Sequence, residues 1–225
     1  MVDSTVEWFA KMKWDQLWDA TLETLYMTSI SVLATFILGI LLGLVLYLTG
    51  KGNLWENDIA NACIGAVVNI FRSIPFIILI ILLFPFTRFV VGSILGANAA
   101  LPALIIGAAP FYARMVEIAL REIDKGVIEA AQSMGATNRQ IIMKVLIPES
   151  LPALISGITV TAIALVSYTA MAGVIGAGGL GHFAYLEGFQ RNNFQVTLVA
   201  TIAILIVVFI IQWIGDFFTN KLDKR

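Results

Sequence analysis

Moving a charged solute, or acting on one, needs polar groups where they are costly to keep, and this sequence has few. Arg72, followed by Ser73, is the one charged residue in the apolar run 59–86. An arginine at membrane depth faces protein or water rather than lipid. Arg72 therefore lines a path for a solute such as a carboxylate, forms a structural ion pair with Glu117 as one partner, or snorkels toward the surface. Ser167, Tyr168 and Met171 lie in a segment otherwise rich in Gly, Ala, Ser and Thr. Residues 167 and 171 are one helical turn apart and share a face. A flexible, polarizable methionine there suits a movable plug or a soft gap-filler.

Parts for catalysis are scarce. His182 is the only histidine and Cys63 the only cysteine, so there is no zinc-ligand cluster of the usual kind and no internal disulfide. HExxH, GxSxG and the phosphate-binding G-x-x-x-x-G-K-[ST] do not occur. Gly176 to Gly181 satisfies G-x-G-x-x-G, but a dinucleotide site needs a strand before it and a helix after it. Here it follows an apolar helical run and reads as a flexible loop. An integral membrane enzyme, which would need a nucleophile with a base or clustered acids at membrane depth, is the weaker class of function. No cofactor or metal is expected in this chain.

The elements that hold these residues are membrane spans. Of the 225 residues, 59% are hydrophobic and 13% charged, where a soluble domain carries about a quarter charged residues. No Asp, Glu, Lys or Arg occurs in 24–50, 89–113, 150–186 or 192–215. Each run is long enough for a span of about 20 residues. With 59–86 this predicts an all-α membrane protein of five spans, at about 22–48, 60–86, 97–122, 149–174 and 194–217. Gly39 and Gly43 in span 1 mark a close helix contact, within one subunit or between two. The net charge of −1 points to no nucleic-acid partner.

Basic residues favour the cytosolic side. The segment between spans 3 and 4, the C-terminal tail and the 49–58 loop carry nine Lys and Arg, against four on the other side. The N-terminus is therefore expected outside and the C-terminus inside. The acidic N-terminal region does not read as a cleavable signal. Trp8, Trp14 and Trp18 favour the interface, so residues 5–19 are expected to lie on the outer surface as an amphipathic helix, or else to form the first turns of span 1. The domain reading is an interfacial segment over 1–20 and a transmembrane domain over 21–220.

Ten of the 29 charged residues fall in 114–149. Arg114, Glu117 and Arg121 are spaced to pair along one helix face. Val127 to Met134 reads as a short helix that Gly135 ends in the left-handed conformation. Thr137 and Gln140 form a capping box for a second helix over 138–146, which Pro148 is expected to stop. The order Glu129-Ala130-Ala131, three residues, Gly135, nine residues, Val145-Leu146-Ile147-Pro148 resembles the EAA loop of permease subunits of bacterial ABC importers. Val145 and Ile147 stand where that family usually has Ile and Leu. Asn69 to Leu79, Gly107 to Glu117 and Ser167 to Gly181 are further similar to the methionine importer permeases.

The resemblance implies a type I importer permease fold and a homodimer in the bacterial cytoplasmic membrane, translocating methionine by alternating access along the dimer axis. It implies two ATP-binding cassette subunits on the cytosolic side that bind ATP and Mg, and an external substrate-binding lipoprotein. It assigns ATPase coupling to 123–148, with Val127, Ile128, Glu129, Ala130, Ala131, Met134, Gly135 and Pro148. The small alanines would let a partner's backbone approach, and Val127, Ile128 and Met134 would offer apolar contact. Arg72, Ser73, Ser167, Tyr168 and Met171 would line the translocation path. A permease for another amino acid or small solute is the nearest alternative. A passive channel would have no use for such a dock.

Overall fold

The computed structural model describes residues 12–222, and every regular element among them is helical. Span 1 is α1, Trp14–Leu48; span 3 is α5, Ala97–Arg121; span 4 is α8, Ile147–Val174; span 5 is α10, Phe194–Leu222. α1 has 35 residues, about 52 Å at 1.5 Å per residue. That exceeds a hydrocarbon core of about 30 Å, and Trp14 and Trp18 near its start are exposed. Residues 14–19 are thus the first turns of span 1, not a separate surface helix. Residues 5–11 of that expectation lie outside the described residues.

Span 2 departs most from the sequence reading. The expected single helix over 60–86 is three pieces: α2 (Asp58–Ser73), α3 (Phe76–Leu82) and α4 (Phe84–Val91). α2 and α3 meet at 106°. Pro75 is the cause. It has no N–H for the helical ladder, and it pushes the preceding residue out of the α region; Ile74 is extended, with φ −81° and ψ 122°. Because the axis turns here, the depth of Arg72 cannot be counted along one helix from Pro85, as a straight span would allow.

Four helices are long and apolar enough to cross a membrane, and the bent pair of α2 and α3 makes a fifth where it counts as one span. The Asn61 side-chain amide donates to the Leu46 carbonyl (2.7 Å), so α2 starts where α1 ends. The Gly96 N–H donates to the Gly176 carbonyl (2.9 Å), joining the end of span 2 to the end of span 4. α1 packs most extensively on α5, and α8 packs on both α5 and α10. A seam of small residues allows the first contact. A Cβ on Gly39 would lie 2.5 Å from the Tyr112 ring, and one on Gly43 would strike the Ala113 carbonyl. The Gly39/Gly43 pair therefore serves a contact within the subunit.

A second departure lies at Pro148. The helix does not stop there but runs from Asn138 to Val174. α7 (Asn138–Ile141) passes into a π-helical turn over Ile142–Leu146, and α8 continues from it. The wider turn pairs residues five apart. Across it the Ile147 N–H donates to the Ile142 carbonyl, five residues back.

Candidate functional site

The end of the bundle holding 47–57 and 121–147 carries the acid-alanine-alanine segment. α6, Lys125–Ser133, starts two residues before the sequence reading put it. Asp124 caps it, accepting from the Gly126 N–H (2.7 Å). Gly135 ends it in the left-handed conformation, φ +79°. Thr137 and Gln140 form the reciprocal capping box, worth about 1 kcal/mol. Ala131 is buried and Ile128 half-buried in an apolar cluster with Tyr47, Leu120, Ile141 and Leu146. These two pack α6 onto its own chain. Val127, Glu129, Ala130 and Met134 point outward, and Met134 is 82% exposed. Val127, Ala130 and Met134 thus form an exposed apolar stripe on a short, capped helix, with the Glu129 carboxylate beside it. Beneath it a polar cleft of about 280 Å³, lined by Gly52, Asn53, Lys125 and Gln132, separates α6 from the 49–57 loop.

The ion cluster at the root of this segment forms as the spacing predicts. Glu117 is 1% exposed and holds Arg114 Nη1 and Arg121 Nη2, each at 2.5 Å. It is therefore occupied, and Arg72 is not its partner.

Arg72 lies in the last turn of α2, where a cation favours the helix dipole. It borders a groove of about 290 Å³ at the break in span 2, whose other walls include Phe71, Phe76, Gly107, Phe111 and Tyr168. The Tyr168 and Phe76 rings stack in parallel, 4.4 Å apart. Ser73 is exposed and donates its hydroxyl back to the Asn69 carbonyl (2.8 Å). Ser167 and Met171 share an exposed face of α8, beside Tyr168. Phe71, Phe76 and Phe111 escaped the sequence reading, because aromatic residues in a span look like packing. Pro75 was the available signal, since it forces the turn that brings them together.

At the opposite end, Gly176 to Gly181 form a packed corner rather than the flexible loop expected. Gly176, Gly178 and Gly179 all have positive φ. The Gly179 N–H donates to Glu23 Oε2 (2.6 Å) and the Leu180 N–H to Thr24 Oγ1 (2.8 Å), closing the start of α9, Gly179–Phe183, onto α1. A π-helical turn over Ala184–Gln190 follows, where Glu187 pairs with Lys13 (3.2 Å) and Arg191 (2.8 Å).

The long apolar helices, the broken second span and the exposed α6 together describe a membrane-transport subunit. The chain belongs to the family of binding-protein-dependent transport system inner membrane components, whose model matches residues 35–225. It is 68% identical over 219 residues to the methionine import system permease protein MetP of Bacillus subtilis, covering 97% of this chain and 99% of that one. It is 49% identical over 212 residues to the probable D-methionine transport system permease protein MetI of Pasteurella multocida, covering 94% and 98%. Among solved structures it is similar to an inward-facing MetNI methionine ABC transporter chain, with TM-score 0.92 and 46% identity over 95% of this chain and 98% of that one. A chain of an amino acid ABC transporter, at 17% identity and TM-score 0.77, shares the fold.

Proposed function

We propose that this chain is the membrane-spanning subunit of an ATP-driven methionine importer, working as a homodimer by alternating access. The observation that carries this is α6. A membrane protein without a nucleotide-binding motif presents a capped helix with Val127, Ala130 and Met134 exposed. Such a surface transmits displacement from a separate engine. Two ATP-binding cassette subunits dock there, and they bind ATP and Mg. An external lipoprotein delivers substrate at the other end. The basic α6 end faces the cytosol of a bacterial cell, in keeping with the charge bias, so the N-terminus lies outside. Residues 21–220 act as the permease domain, with 123–148 as its coupling segment.

The solute passes along the dimer axis beside Arg72, Ser73, Ser167, Tyr168 and Met171. Met171 and its symmetry mate narrow the path by excluding water, as hydrophobic constrictions do. Within the coupling segment Val127, Glu129, Ala130 and Met134 touch the ATPase. Ile128, Ala131, Gly135 and Pro148 give α6 its position.

The test is reconstitution with the ATPase and the binding protein in proteoliposomes. Wild type accumulates labelled methionine on ATP addition. Glu129→Lys reverses the charge on the docking face without touching the core, so the protein inserts and dimerises while ATPase co-purification and substrate-stimulated hydrolysis fall about tenfold, the loss expected for one charge-assisted contact. Normal uptake in that variant would remove α6 as the dock. Stimulation by other amino acids but not methionine would reassign the substrate.

A further inference from the structure

We infer that the groove at the break in span 2 is a binding site for the transported amino acid, taking its carboxylate on Arg72 and its side chain against the aromatic wall. This rests on the reading of the chain as an importer permease, and adds that the permease selects its solute rather than merely passing it.

Arg72 is exposed, and among the described residues it has no ion-pair or hydrogen-bond partner. The one carboxylate buried in span 3, Glu117, is held by two other arginines. No Asp or Glu lines the groove. A guanidinium exposed in the last turn of α2 without an acid of its own is complementary to an anion that comes and goes. Pro75 adds the matching half. Lacking an N–H, it leaves the Phe71 carbonyl without its usual helical donor, and that oxygen can accept from an ammonium. A guanidinium and a free carbonyl one residue apart read the two charges of a zwitterion.

The rest of the groove reads an apolar side chain. Phe71, Phe76, Phe111 and Tyr168 line it, and the parallel Phe76–Tyr168 pair gives it a flat face. Thioether sulfur gains from contact with aromatic rings. Gly107 keeps that wall open, since a Cβ there would lie 3.2 Å from Leu79 and 3.4 Å from Phe76. The volume, about 290 Å³, sits at the small end of ligand sites, which run from about 300 to 1,000 Å³. One small amino acid fits such a site; a peptide does not. Tyr168 also borders Ser167 and Met171 on α8, so a bound solute lies next to the proposed constriction.

The experiment is equilibrium binding of labelled L-methionine to the complete transporter in nanodiscs without the external binding protein, with the ATPase subunits alone as background. Wild type should show sites above that background. Methioninamide, which lacks the carboxylate, should fail to compete for them. Arg72→Ala should weaken these sites about 10- to 100-fold, the loss of a charge-assisted hydrogen bond; Arg72→Lys should retain part of the affinity, and Phe76→Ala should weaken binding with the dimer intact. The competition result needs no variant, so it stands even where Arg72→Ala misfolds. No sites above background, or equal competition by methioninamide, overturns the inference. A second measurement separates the underlying reading. Arg72→Cys in a Cys63→Ala background reacts with small polar thiol reagents if position 72 faces the water path. Labelling without binding discards the binding site and keeps the path. Absence of both discards the path through Arg72 as well.

Discussion

Gly135 and Gly179 have nearly the same φ, +79° and +80°, in opposite surroundings. A Cβ on Gly135 meets nothing within 4 Å, whereas one on Gly179 would lie 2.7 Å from Thr24 Oγ1 and 3.0 Å from Met27. Both glycines turn the chain sharply between helices. One corner is completed by its own chain, with Glu23 and Thr24 accepting the amides of Gly179 and Leu180. The other stands clear, and its exposed neighbours, Val127, Ala130 and Met134, have no cover. The corner that closes α9 onto α1 is filled, and the corner proposed as the ATPase dock is left bare.

The largest effect should therefore come from filling the closed corner further. A Cβ on Gly181 would strike the Ala170 backbone, and one on Gly173 would lie 2.5 Å from the His182 amide nitrogen. Backbone cannot rotate aside, so Gly181→Ala should cost about 3 kcal/mol, the upper range for overpacking, and the protein should not accumulate folded in the membrane. Gly135→Ala faces only the left-handed backbone penalty of about 1 kcal/mol. Thermal unfolding of the two solubilised variants measures the contrast. Equal losses would mean that the two corners are packed alike.

The sequence told much of the open end and little of the closed one. Gly135, the Thr137–Gln140 box and the Arg114–Glu117–Arg121 cluster are set by residues within a few positions of each other, so spacing alone specified them. The four long apolar helices followed from charge-free runs, and the bent pair of α2 and α3 falls in the 59–86 run that holds Arg72. By contrast, the partners of Gly179 and Leu180 are 156 residues away, and no local pattern joins Glu23 to a glycine loop. The break at Pro75 and the passage through Pro148 were misread for one reason. A proline removes a hydrogen bond, but the neighbouring packing and turn geometry decide whether the helix breaks, as at Ile74, or widens into a π turn, as at Ile142–Leu146.

The next largest effect concerns the root of the open end. Glu117 is buried, while the side chains of Arg114 and Arg121 are 37% and 60% exposed. Removing the acid lets two half-hydrated arginines turn to water. Removing both arginines strands a buried carboxylate. Arg114→Ala/Arg121→Ala should then cost about 2–3 kcal/mol and Glu117→Gln less, about 1 kcal/mol. A melting series gives the order. The reverse order would show that the arginines, not the acid, carry the burial cost.

Met171 tests a surface that is open for another reason. It is 44% exposed on the single subunit, so Met171→Ala should barely change stability. Its effect belongs to permeation. Two truncated side chains at the proposed constriction should let methionine leave proteoliposomes without nucleotide, and Met171→Leu, close in volume, should leak less. An alanine variant as tight as wild type, folded and dimeric, would return Met171 to packing.

The smallest effect lies inside the seam between α1 and α5. Thr28, Ser31 and Thr35 are buried there, and their hydroxyls have no hydrogen-bond partner among the described residues. Other threonines in the bundle back-bond to a carbonyl four residues earlier, as Thr24 does to Ala20 and Thr161 to Gly157. Thr35 does not, and it is fully buried, so no second copy can reach it. An unsatisfied buried hydroxyl costs about 1–3 kcal/mol. Valine has nearly the same shape as threonine and no polar atom to desolvate. Thr35→Val should therefore raise the melting temperature slightly, by the low end of that range, and leave uptake unchanged. The same reasoning makes Ser31→Ala neutral, because it loses one heavy atom of packing along with the hydroxyl. A clear destabilisation in Thr35→Val would mean that the hydroxyl is satisfied in the working transporter. The seam would then be a polar contact that α1 and α5 make and break as the subunit changes state.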